Sequence, residues 1–249
     1  MTLECGLCVQ RGVNKMECQD TALAGHDVFG EGRITVTCKS PAWVALLDGV
    51  GGNAGGREAS RFAATELAAS EPEAEVESVR NWIAAINRRL LAEGAASGLT
   101  QMATTLAGIF FTDRGQVLAC AGNTRVYAFL GKYLSQLTRD HTTLQMLRDL
   151  GIEDSSCNPA EILCCMGGGT PNYLDRLAVS PVFERGMPQT VLMTTDGIHD
   201  ILTIDEMEQI LSEPGTLQEK AERLCRRAVE QGSEDDCSAL LVHPWIGDQ

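Results

Sequence analysis

The sequence predicts an α+β fold, with helices packed outside stacked antiparallel sheets. Three observations carry this. Short apolar runs recur along the chain, many joined by turns such as Thr112-Asp113-Arg114-Gly115 and Leu130-Gly131-Lys132, which favour hairpins. Helical stretches come in two pairs set between those runs, so helices and sheets occupy separate layers. Two distant runs, AWVALLDGVGG (42–52) and TVLMTTDGIHD (190–200), end alike in Asp-Gly, the signature of a buried strand closed by a tight turn.

Taken in order, strand-like segments fall at 3–9, 33–38, 42–47, 104–112, 116–121, 124–130, 133–137, 190–195 and 237–243. Two helices follow the first Asp-Gly: Arg57–Ala69, and Glu75–Glu93 with Val79, Trp82, Ile83, Ile86 and Leu90 on one face. Two more, Ile204–Ser212 and Thr216–Gln231, lie near the C-terminus. Residues 151–188, with Gly167-Gly168-Gly169 and Pro159, Pro171, Pro181 and Pro188, read as a mobile loop. Without linker, low-complexity tract or tandem repeat, residues 1–249 read as one domain.

Composition narrows the function. Apolar residues make up 44% of the chain, enough for a large core. A net charge of −14 argues against nucleic acid and anionic membranes as partners. The chain shows no apolar stretch long enough to span a bilayer and no secretory signal, so a cytoplasmic location is expected. The ten cysteines sit mostly in apolar runs, as small buried residues do in a reducing compartment. Cys5-Gly-Leu-Cys8 has the spacing of half a zinc site, but no second pair follows.

The chemistry lies in the acidic strand ends. Asp48 and Asp196 each close an apolar run, Asp20 ends the stretch LysMetGluCysGlnAsp (15–20), and Asp235-Asp236 precedes the last strand. A carboxylate at the rim of a core is costly unless a positive group meets it. Several such ends, brought together, form a cage of hard oxygen ligands for divalent cations.

The order of motifs resembles the metal-dependent protein phosphatases of the protein phosphatase 2C type, in their compact bacterial form. The matching pieces run from Lys15 to Val242: LysMetGluCysGlnAsp (15–20), LeuLeuAspGlyValGlyGly (46–52), AlaThrThrLeu (103–106), AlaGlyAsnThrArgValTyr (121–127), LeuThrArgAspHisThr (137–142), ThrThrAspGlyIleHisAsp (194–200) and GlySerGluAspAspCysSer (232–238). The resemblance implies a four-layer αββα sandwich with a centre for two divalent cations, Mn2+ or Mg2+, at one end of the sheets. It implies that Asp48 bridges both cations, that Gly49 offers its carbonyl to one of them, that Asp196 and Asp235 complete the shell of the first cation, and that Asp20 serves the second cation, directly or through water. It further implies hydrolysis of phosphoserine and phosphothreonine by direct attack of a metal-bridging water. The partners expected are phosphoproteins and a cognate Ser/Thr kinase, and the chain is expected to be a monomer. Two cations about 3.5–4 Å apart suit such chemistry, because they generate a nucleophile and neutralise the phosphoryl charge. His26, shortly after the first motif, is the candidate acid for the leaving group. His141 is expected to hold the Asp-His-Thr turn, and His199 to line the site.

Three positions depart from the family. Lys15 stands where an Arg grips the substrate phosphate, keeping the charge but losing the bidentate fork. Gln19 stands where Glu is common. Asn123 replaces an Asp that, with Asp196 and Asp200, builds a third, looser cation site, and a neutral amide is a poorer ligand for a hard cation. Residues 151–188 fall where the family carries a flap over the site. Two alternatives keep the fold: a regulatory phosphatase of a sigma-factor pathway, and a pseudo-phosphatase that binds phosphoproteins without turnover.

Overall fold

The computed structural model describes residues 1–50, 55–69, 71–152, 158, 161–183, 186 and 190–245. In chain order the elements are β1 (Thr2–Gln10), β2 (Asp20–Ala24), β3 (Asp27–Phe29), β4 (Gly32–Lys39), β5 (Ala42–Asp48), α1 (Gly56–Ala68), α2 (Val76–Ser97), β6 (Ala103–Thr104), β7 (Leu106–Phe111), β8 (Gln116–Ala121), β9 (Arg125–Leu130), β10 (Tyr133–Gln136), α3 (Thr143–Leu150), β11 (Met166–Gly167), β12 (Ala178–Val182), β13 (Thr190–Thr194), α4 (Asp196–His199), α5 (Ile204–Ser212), α6 (Leu217–Glu230) and β14 (Cys237–Trp245). One six-stranded sheet runs β10-β9-β13-β14-β1-β4 and the other β12-β8-β7-β5-β2-β3, while β6 and β11 form a two-stranded ribbon. Both large sheets are antiparallel throughout.

Strand β5 shows why its sequence is a continuous apolar run. Successive side chains point to opposite faces. Val44 and Leu46 join the core between the sheets, with Ile109, Val191, Leu240 and Val242. Trp43, Ala45 and Leu47 point the other way, into the core under α1 and α2, where Ala63, Leu67, Ile83 and Ile86 meet them. In β14 the same alternation sends Leu240 and Val242 inward and Ala239 and Leu241 outward, against Leu211 and Leu224 of α5 and α6. Three cores stacked between four layers make an αββα sandwich, and strands buried on both faces lose the polar alternation of a half-exposed sheet. Each fully buried Leu or Ile contributes about 1.5–3 kcal/mol from removal of its apolar surface from water.

The helix boundaries follow local chemistry. Thr203 and Glu206, and Thr216 and Glu219, form capping boxes that satisfy the first free N–H groups of α5 and α6. The α2 helix ends at Gly98, whose φ of 78° is the left-handed conformation that closes many helices.

Three parts of the fold differ from expectation. The polar stretch before Ala24 leads into the β2–β3 hairpin. The helix α3 spans only eight residues, just over two turns, too short for its apolar spacing to announce it from sequence. In the stretch read as a loop, Met166–Gly167 pairs with β6, Pro171–Leu174 forms a 3-10 turn, and Ala178–Val182 adds an edge strand along β8. The rest of that reading, at 153–157, 159–160, 184–185 and 187–188, lies outside the described residues, as do Gly51 and Gly52 of the first Asp-Gly motif.

Candidate metal centre

The β2–β5 pair ends with Asp20 opposite Asp48. Residues Thr190–Thr194 of β13 bring Asp196 to the same end, as the first residue of α4, and Asp235 arrives just before β14. Four of the predicted ligands therefore converge. Both Asp-Gly glycines are required by close main-chain approach. A Cβ on Gly49 would lie 2.4 Å from the carbonyl oxygen of Gly56, and one on Gly197 would lie 2.1 Å from that of Asp236.

The remaining motifs brace these carboxylates. Asp48 is held through its main chain: its N–H donates to Thr105 Oγ1 at 2.9 Å, and its carbonyl accepts from the Thr105 N–H at 2.8 Å and Thr104 Oγ1 at 2.9 Å. Thr105 and Thr124 hydroxyls meet at 2.6 Å, so the AlaThrThrLeu and AlaGlyAsnThrArgValTyr motifs buttress one another. Asn123 Nδ2 donates to Asp196 Oδ2 at 2.9 Å. Arg125 grips Asp140 with two nitrogens, and the Gly122 N–H donates to His141 Nδ1 at 3.2 Å, so His141 holds its turn as expected.

Asp20 is fully buried. Its Oδ2 accepts from Ser238 Oγ at 2.6 Å and Thr195 Oγ1 at 3.1 Å, whereas its Oδ1 has no hydrogen-bond partner. Burial, then the charge of Asp236, pushes its pKa up to about 7. Asp48 lies well above the ordinary range, through burial and then through Asp20, Asp196 and Asp235. Asp196 rises to about 6 from burial and Asp235, relieved in part by Asn123. These carboxylates destabilise one another when ionised, and an oxygen without a partner in a buried site is poorly solvated. Such a donor set suits hard divalent cations.

Lys15 lies inside this cluster. Its ammonium bonds Asp235 and sits 3.1 Å from Asp236 Oδ2. Burial works against the ammonium form, but the two carboxylates outweigh it and raise the Lys15 pKa above the ordinary lysine value. Asp236 is the organiser that sequence reasoning missed, although the Asp-Asp doublet was its signal. Fully buried, it also accepts from the main-chain N–H of Gly12 at 2.8 Å and of Gln19 at 2.9 Å. Asp235 is half exposed and turned to Lys15. Among the described residues no three His, Cys, Asp or Glu side chains close round a common point as they stand.

Of the other predicted residues, His26 lies apart from the four, whereas Asp200 stays next to Asp196 and adds to its repulsion. His26 is exposed in the turn after β2, with Nδ1 2.9 Å from the carbonyl of Ala68. The strand Asp20–Ala24 separates it from Asp20 by roughly 13 Å at the usual rise per residue, so it is not placed to serve as an acid at the centre. Asp200 caps α4, and its side chain lines a pocket of 310 Å³ with Asn123, Arg125 and Asp140. Its pKa is raised by burial, with Arg125 opposing. Buried His199 shares a 2.8 Å hydrogen bond with Thr194 Oγ1, and burial and Arg125 depress its pKa well below the usual value, so it stays neutral.

No family model matches the chain. It is 28% identical over 211 residues to a serine/threonine phosphatase stp of Listeria monocytogenes, covering 80% of this chain and 83% of that protein. Against protein phosphatase PhpP of Streptococcus pneumoniae it is 25% identical over 209 residues, covering 80% and 84%. Among solved structures, the serine/threonine phosphatase Stp1 of Staphylococcus aureus superposes with a TM-score of 0.79 at 20% identity, over 98% of this chain and 95% of that one. A structure of the catalytic domain of phosphatase PstP in complex with two manganese ions superposes with a TM-score of 0.74 at 22% identity, over 98% and 99%.

Proposed function

Because the chain is protein phosphatase 2C-like in sequence and in fold, we propose that it hydrolyses phosphoserine and phosphothreonine monoesters of proteins, using Mn2+ or Mg2+. The observation that carries this reading is the convergence of Asp20, Asp48, Asp196 and Asp235 at one end of the sandwich, with a buried Asp20 oxygen left without a partner. The residues that would hold two cations are Asp48, the Gly49 carbonyl, Asp196 and Asp235, with Asp20. Bound cations would supply positive charge to the phosphoryl group and acidify the attacking water. Thr104 and Thr105 fix Asp48, Ser238 and Thr195 fix Asp20, and Asn123 fixes Asp196, so the ligands stay aligned. Lys15, once released from Asp235, is the residue that meets the substrate phosphate. With His26 distant and His199 buried and neutral, the leaving alkoxide takes its proton from water. On this reading the whole chain is one catalytic domain that opposes a Ser/Thr kinase in the cytoplasm. Among the described residues no helix is long and apolar enough to cross a membrane.

The test is hydrolysis of a phosphothreonine peptide with Mn2+ and with chelator, by wild type and Asp48→Asn. Turnover that is lost in both supports the reading. The Lys15–Asp235 pair favours a second reading, phosphoprotein binding without turnover, and binding of the peptide by wild type with no release of phosphate decides for it.

A further inference from the structure

Beside the centre, and sharing Asp20 as a wall, lies a pocket of 230 Å³ lined also by Met16, Glu17, Glu31, Arg57 and Arg61. That volume is below the roughly 300–1,000 Å³ of sites for drug-sized molecules, so it suits one side chain better than a separate ligand. Its charges are mostly committed. Glu17 pairs with Arg57 at 2.9 Å, and Glu31 lies 3.8 Å from Arg11. Arg61 makes no ion pair among the described residues. It stands one helical turn after Arg57, on the same face of α1. The Glu17–Arg57 pair is about half exposed at both ends, and such pairs are weak enough to yield to an incoming carboxylate. Met16, 94% exposed, offers apolar surface at the rim for the stem of a side chain. Because Asp20 belongs to both the pocket and the centre, an extended peptide at about 3.3 Å per residue reaches from one to the other within a few residues.

We propose that this pocket takes an acidic side chain of the substrate, close in sequence to the phosphorylated residue, with Arg61 gripping its carboxylate and Arg57 assisting. The proposal rests on the phosphatase reading given above. A chain of net charge −14 repels acidic peptides at long range, so a local arginine in this place selects which of them dock. The fork of an arginine holds a carboxylate in two hydrogen bonds, a geometry lysine lacks.

The test uses phosphothreonine peptides with Glu placed in turn at each of the three positions on either side, against the matching Gln peptides, and p-nitrophenyl phosphate as a substrate too small to reach the pocket. In wild type one Glu position is expected to raise kcat/KM about tenfold over Gln, mainly through KM. Arg61→Ala is expected to abolish that preference and leave p-nitrophenyl phosphate hydrolysis unchanged, and Arg61→Lys to restore it only in part. Equal values for Glu and Gln at every position in wild type, or a preference that survives in Arg61→Ala, would overturn the subsite. Peptide affinities measured by fluorescence anisotropy in Asp48→Asn, with and without Arg61→Ala, report the same preference without turnover. Failure of hydrolysis with the preference intact therefore counts against the catalytic reading alone, and loss of the preference in both assays counts against the subsite.

Discussion

Asp20 and Asp48 stand directly opposite each other on β2 and β5, so an antiparallel pair ends with two carboxylates side by side at the rim of the core. Like charges in that relationship destabilise a sheet, and here the neighbours Asp196, Asp235 and Asp236 add to the repulsion. A proton or a positive ion at this place would relieve that repulsion.

Asp48→Asn should therefore separate stability from activity. Without divalent cations at pH 8 the variant should melt a few degrees higher than wild type, since about 1–2 kcal/mol of repulsion is removed. Hydrolysis of a phosphothreonine peptide in Mn2+ should fall roughly a thousandfold, about 4 kcal/mol in the barrier, and further than in Asp196→Asn. Calorimetric melting and steady-state kinetics check the two halves independently.

The metal-free chain should lose stability as pH rises from about 4 to about 7. Asp20 and Asp196 have folded-state pKa values of about 7 and about 6, above the ordinary value of 3.8. Across that window the folded state holds protons that the unfolded state has released, so ionisation costs the folded state. Their stabilising contribution is whole below pH 4 and gone above pH 7. Saturating Mn2+ should flatten this slope, and a metal-free melting temperature that climbs steadily from pH 5 to 8 would contradict it.

Lys15→Met should tighten Mn2+ binding several-fold, because the ammonium competes with the ion for Asp235. The same variant should raise KM for phosphopeptides. Titration calorimetry with Mn2+ would show unchanged affinity if Lys15 were no competitor.

Asn123→Asp replaces a donor to Asp196 with a further carboxylate. The expected outcome is a higher Mn2+ stoichiometry by calorimetry than in wild type, together with a lower metal-free melting temperature.

Gly197→Ala places a methyl 2.1 Å from the Asp236 carbonyl. The loss should be about 3 kcal/mol, or roughly 6–12 °C in Tm by circular dichroism.

Much of this was readable in the residues. Segments such as Ala42–Leu47 and Ala239–Val242 are continuous apolar runs because both faces are buried, and α5 and α6 announce themselves through their capping threonines. The places of Asp48, Asp196, Asp20 and Asp235 at strand ends were legible, but that they belong to one centre came from the order of motifs and the resemblance it carries. Less legible was the short β2, whose five buried residues follow a polar stretch without periodicity. His26 misled because closeness in sequence to Asp20 is undone by a strand that carries it to the opposite end. Lys15 and Asp236 show another limit: residue type announced a charge in each case, but only packing decides which opposite charge it meets.

The glycines after Asp48 and Asp196 have a wider consequence. Gly49 abuts the main chain of Gly56 and Gln19, and Gly197 that of Asp236. The gaps between these ligand-bearing strand ends are thus measured out by peptide atoms in contact, which are common to every residue. Substitution elsewhere can change what surrounds the centre without changing this ruler. A sequence can therefore drift far while the spacing of its carboxylates is inherited intact.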